Sequence, residues 1–290
     1  MWSFMMHIVI SSIIFGIMGL GFKFFLKLRS TLDFSYIGII IFASYTAALC
    51  NIHLGWWFLA STGVAILLSL LFTGFVLYLS HMLSGIYFDI GALSFYMLCF
   101  QLAYNLKSIT WGALGLSWIS RNLVASMNIS SLEGFLVLTI IIILIFLLIL
   151  MWFKRSYFFT ILRAWGEHDL VVKSLGVPIV WYKFTMIGIT TILAAVWGSL
   201  FAFYYLYIDP PSFWLYLLMM VIIICFISYD MNDWWTMLVA LWMVFLYEYL
   251  RFFKFVDPSK IGYVREIIIS LLQIAAAFWV FRRIRFGRRN

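Results

Sequence analysis

The chain has 290 residues, 66% of them hydrophobic and 10% charged, against roughly 25% charged and 45–50% apolar in soluble domains. So few charges cannot close a water-facing surface over a core, which excludes a soluble enzyme or binding module. The net charge of +8 sits beside apolar runs and not on an amphipathic face, which points to orientation in a membrane and away from nucleic acid.

The apolar residues fall into nine blocks, at about 2–22, 36–54, 56–80, 84–106, 134–153, 180–207, 212–229, 234–250 and 264–282. At about 1.5 Å per residue each can cross a hydrocarbon core of roughly 30 Å, and a helix satisfies its own backbone, as lipid demands. All four prolines, Pro178, Pro210, Pro211 and Pro258, lie between blocks. The pattern predicts an all-α polytopic membrane protein of about nine transmembrane helices. The first block has no basic stretch ahead of it and no small-residue cleavage site, so it reads as a retained helix and not a signal peptide.

Asp89 stands a few residues inside the fourth block. A carboxylate at mid-membrane costs about 2.5–3.5 kcal/mol, so Asp89 is either a water-reaching acid near the cytoplasmic end or a residue of a polar pathway. In the stretch 107–133 that follows, Trp111, Leu116 and Trp118 are apolar enough to lie at the interface or cover a pathway. Gly115-Leu116-Ser117 has the outline of a serine nucleophile, but no later span holds a histidine to act as its base.

The stretch 154–179 is the most polar between blocks. Arg163 with Glu167, and Asp169 with Lys173, are spaced i to i+4, the spacing of neighbours on a helix. Leu170, Val171, Ser174 and Leu175 share an apolar stripe, and Gly176 with Pro178 marks a stop. These residues predict a short cytoplasmic helix at about 163–175, lying on its own spans or docking a cytosolic partner.

Farther on, Tyr229-Asp230 has one half of an aspartyl site, but no second carboxylate motif accompanies it; Asp230-Met231-Asn232-Asp233 reads as a polar turn. His7, His53, His81 and His168 are scattered, and Cys50, Cys99 and Cys225 occupy separate blocks without metal or redox spacing. No Gly-Lys pair occurs, so the chain lacks a phosphate-cradling loop, and any pumping draws on a partner or an ion gradient. Thirteen of the nineteen Lys and Arg residues fall on one side of a nine-span alternation. That bias places the N-terminus outside and the C-terminus in the cytoplasm. Residues 1–290 read as one polytopic transmembrane domain with a cytoplasmic loop at about 154–179.

At that loop the sequence resembles the permease subunits of ABC importers for branched-chain amino acids, through Arg163-Ala164, Glu167 and Leu175-Gly176-Val177. The likeness continues in matching order through Leu32-Asp33-Phe34-Ser35, Ser44-Tyr45-Thr46-Ala47-Ala48, Ser84-Gly85-Ile86-Tyr87-Phe88, Tyr182-Lys183-Phe184, Ala194-Ala195, Gly198, Pro210, Phe213, Glu248, Leu250-Arg251 and Gly262. The chain departs from the family at Ile224–Asp230, where the family carries a glycine-rich stretch, and at Asp89, where it carries a small apolar residue.

The resemblance implies a multi-pass plasma or inner membrane protein that pairs with a second permease subunit. It implies two cytosolic ATPase subunits beneath and an extracytoplasmic solute-binding protein above. ATP would bind the partners, with no cofactor on this chain. The coupling residues so implied are Arg163, Ala164, Glu167, Asp169, Leu170, Val171, Leu175 and Gly176. The competing reading is an ATPase-independent secondary transporter or channel with Asp89 as its ion-linked carboxylate; a scaffold without transport is a third.

Overall fold

The computed structural model describes residues 2–29, 33–83, 86–122, 131–167, 172, 174–249, 264, 266–268, 270–272, 274–275 and 278. Among them the secondary structure is helical, without strands. The helices are α1 (Trp2–Arg29), α2 (Ser35–Leu54), α3 (Phe58–Met82), α4 (Ile86–Asn105), α5 (Lys107–Thr110), α6 (Leu132–Lys154), α7 (Tyr157–Glu167), α8 (Ile179–Tyr205), α9 (Leu215–Ile227) and α10 (Asp233–Tyr249). Single 3₁₀ turns cover Gly112–Leu114 and Pro210–Phe213.

Seven of these segments are long and apolar enough to cross a membrane: α1, α2, α3, α4, α6, α8 and Pro210–Ile227. The helix ends follow local chemistry. Ser131 caps α6 by accepting from the Gly134 amide, Glu133 sits in its first turn and Lys154 in its last, each at the pole that its charge favours. Gly55, with φ 65°, closes α2 in the left-handed conformation that glycine adopts without a Cβ penalty.

In α6 the buried residues Phe135, Thr139, Ile143, Leu147, Leu150 and Phe153 form one helical stripe. Its outward residues include Val137, Ile141, Leu144, Ile145, Leu148 and Ile149. A helix facing water would be polar there; an apolar outer face suits lipid.

The chain divides into two compact units, Met1–Lys23 with Leu215–Asn290, and Phe24–Trp214. In the first, Met220, Ile223 and Ile224 of α9 pack with Ala240 and Met243 of α10. A Cβ on Gly19 would meet Ile224 Cγ2 at 2.7 Å, so the missing side chain lets α1 approach α9. His7 lies 3.9 Å from Glu248, which pairs the start of α1 with the end of α10.

The second unit is built on α2, α3 and α8, which pack mutually, with α4 against α2. Small side chains permit this: a Cβ on Gly198 would meet the Ile40 carbonyl at 2.6 Å and the Ser44 amide nitrogen at 3.0 Å. Lipid offers no hydrophobic drive between helices, so close backbone approach and interhelical hydrogen bonds take its place. Thr73 supplies such a bond, donating to Thr191 at 3.0 Å between α3 and α8.

Candidate functional site

The stretch between α6 and α8 folds around Ser156. Its hydroxyl donates to the Phe153 carbonyl at 2.6 Å and accepts from the Phe159 amide at 3.3 Å, ending one helix and capping the next. The helix that carries Arg163 therefore starts at Tyr157, not near Arg163. The sequence reading missed this because the aromatic run Tyr157-Phe158-Phe159 looks like a continuation of the span before it.

Helix α7 has two faces. Leu162 and Trp165 are buried, and Phe158 stacks on Tyr182 with ring centroids 4.3 Å apart. Arg163 and Ala164, which the sequence singles out, lie on the opposite, exposed face. Glu167 ends the helix. The Glu167 side chain, and Asp169, Leu170 and Val171 altogether, lie outside the described residues. Leu175 is 72% exposed, and Gly176 adopts φ 70° with open space around its α-carbon. The structure thus leaves Arg163, Ala164, Leu175 and Gly176 accessible.

Lys183 is a residue whose part the sequence did not reveal. Although it stands in the first turns of α8, its side chain is buried. Its Nζ lies 4.6 Å from the Trp165 ring centroid and donates to the Ser80 carbonyl at 3.4 Å. Ser80 belongs to the last turn of α3, where carbonyls lack helical partners and attract positive charge. One cation thereby joins α3, α7 and α8.

A second buried cation occupies the other unit. Charge counting treats Lys23 as an interfacial residue after the first span; instead α1 runs on to Arg29 and Lys23 is only 1% exposed. Its Nζ donates to Thr236 Oγ1 at 2.8 Å and to the Met231 carbonyl at 2.9 Å, and lies 3.9 Å from Asp233. The polar turn expected at Asp230–Asp233 is present between α9 and α10. It is held by Lys23 on the Met231 carbonyl and by Ser228, whose hydroxyl donates to the Ile224 carbonyl at 2.7 Å.

Asp89 is half-buried in the first turn of α4, a position where the helix dipole favours a carboxylate.

The stretch after α4 is tied down. Leu116 and Ile208 exchange backbone hydrogen bonds at 2.7 and 3.0 Å, and Tyr207 donates to the Leu114 carbonyl at 2.9 Å. Asn51 accepts from the Ser120 amide at 2.8 Å and donates to the Trp56 carbonyl at 2.7 Å. Arg121 donates to the Tyr204 carbonyl at 2.8 Å. Leu116 is buried, while Trp111 is partly and Trp118 largely exposed. These contacts gather loop ends that an up-and-down alternation puts on one side, just as Ser80, Trp165 and Lys183 gather the ends on the other.

Among the described residues no three His, Cys, Asp or Glu side chains converge on a metal-binding position. A family model described as the permease component of branched-chain amino acid transport systems matches residues 4–277. No curated protein and no solved structure matches the chain.

Proposed function

Because this chain belongs to the family of branched-chain amino acid transport permease components, we propose that it is the transmembrane subunit of an ABC importer for branched-chain or related amino acids. It pairs with a second permease subunit, receives solute from an extracytoplasmic binding protein and stands on two cytosolic ATPase subunits that bind ATP. In this reading it supplies the path and the lever, and the partners perform the hydrolysis. The whole chain forms one permease domain in the cell membrane. Its nine spans are the seven segments α1, α2, α3, α4, α6, α8 and Pro210–Ile227, together with α10 and the apolar block at about 264–282, with the N-terminus outside and the C-terminus in the cytoplasm.

The observation that carries this reading is the two-faced helix α7, anchored by Trp165 on one side and open at Arg163 and Ala164 on the other. A cytosolic partner that grips the open face differently in its two nucleotide states would move the helix, as coupling requires. Arg163, Ala164, Glu167, Asp169, Leu170, Val171, Leu175 and Gly176 are the proposed contact residues. Asp89 is proposed to face a wet pathway, where its charge costs less than in lipid.

The test is co-purification after gentle solubilisation. An ATPase carrying a Gly-Lys-Ser/Thr loop should accompany the wild-type chain. Leu175→Asp, which forces a carboxylate into an apolar groove at a cost of several kcal/mol, and Glu167→Lys, which reverses a docking charge, should keep normal membrane levels yet lose that ATPase. Normal association in both variants would remove this helix as the docking element. Solute passage in vesicles containing this chain without an ATPase would favour the secondary-transporter reading.

A further inference from the structure

The cation at the root of α8 does more than satisfy its own burial. The Lys183 ammonium faces the indole of Trp165 at 4.6 Å and the Ser80 carbonyl at 3.4 Å, so α7, α3 and α8 meet on one group. Beside it, the Phe158–Tyr182 stack joins α7 to α8 a second time, at 4.3 Å. The two contacts are unlike in kind. A stack of flat rings permits sliding, whereas the ammonium holds a carbonyl that belongs to another helix.

A lysine suits a moving joint. Its charge sits at the end of a flexible four-carbon stem with three rotatable donors. It can therefore keep the ring and the carbonyl while the helices change angle. A rigid apolar knob at the same place would hold one packing arrangement and resist a second.

We propose that Lys183 is the positioning residue that passes displacement of α7 to α3 and α8. The inference rests on the importer reading above, and adds to it the route by which a push on Arg163 and Ala164 reaches the spans. Movement of α7 drags the Trp165 ring; the ammonium follows the ring, and the root of α8 and the last turn of α3 tilt with it.

The experiment uses the intact complex of this chain with its co-purified ATPase, with and without a non-hydrolysable ATP analogue and Mg²⁺, read by hydrogen exchange. In the wild type the nucleotide should change protection in α7, in the first turns of α8 and in the last turn of α3. In Lys183→Met, which conserves volume and removes the charge, the response in α8 and α3 should fall by a factor on the order of 10 while that in α7 persists; a loss of this size lies within the range of couplings between sites. Lys183→Arg should restore it, and Trp165→Leu should reproduce the loss.

Nucleotide-free exchange should match the wild type in every variant. If Lys183→Met and Trp165→Leu instead raise exchange throughout without nucleotide, Lys183 is a folding element and the proposal falls. An undiminished response of α8 and α3 in Lys183→Met overturns it equally. Absence of any ATPase from the wild-type preparation is a different result, which refutes the importer reading itself.

Discussion

Replacing Lys23 by Met tests whether a cation inside the fold holds the α9–α10 turn. The side chain keeps its volume but loses the bonds to Thr236 and Met231 at 2.8 and 2.9 Å, and Asp233, itself buried, loses the ammonium 3.9 Å away. Removing one partner of a buried pair costs about 3–5 kcal/mol. At roughly 2 °C per kcal/mol for a chain of this size, the midpoint of thermal unfolding should drop by about 6–10 °C. A thiol-reactive dye in detergent can follow it, because Cys99 and Cys225 are buried and react once the fold opens. Lys23→Met combined with Asp233→Asn should recover about 1–2 kcal/mol, as removing the stranded charge relieves its desolvation. A single variant within about 1 °C of the wild type, or a double variant no more stable than the single, would refute the reasoning, since either means that no costly charge was stranded.

Gly198→Val should destabilise the packing of α8 on α2 in the second unit. Its Cβ would run into the Ile40 carbonyl at 2.6 Å, and backbone cannot step aside as a side chain can; a loss of at least about 1–3 kcal/mol, seen as a lower unfolding midpoint, is expected, whereas Gly63→Val, with nothing within 4 Å, should be tolerated. Asn51→Ala removes the group that accepts from Ser120 and donates to Trp56. Hydrogen exchange at 116–122 should rise while that of α6 and α7 stays unchanged. Asp89→Asn should alter solute uptake if the carboxylate lines the pathway, and unchanged uptake across roughly pH 5 to 8 would end that role.

What the sequence settled by itself is whatever lipid imposes locally. A span must satisfy its own backbone and be apolar along its length, so the blocks at 36–54, 56–80, 84–106, 134–153 and 180–207 lie within a few residues of α2, α3, α4, α6 and α8. The same holds for the break at Pro178 and the turn at Asp230–Asp233, where proline and short polar side chains interrupt the apolar run. The order of matching residues, spread over most of the chain, carried the family likeness where no single motif could.

What only the tertiary structure decided depends on partners far away along the chain. Lys23 counts as a loop charge until Thr236, 213 residues on, supplies an oxygen for it. Lys183 reads as one more positive charge at a membrane edge until the last turn of α3 and the Trp165 ring close around it. The stretch after α4 reads as an apolar loop until Ile208 and Asn51 bond its backbone. In each case the sequence shows a polar group and its desolvation cost, but whether another segment brings the compensating partner is a property of packing, and a one-dimensional pattern does not contain it.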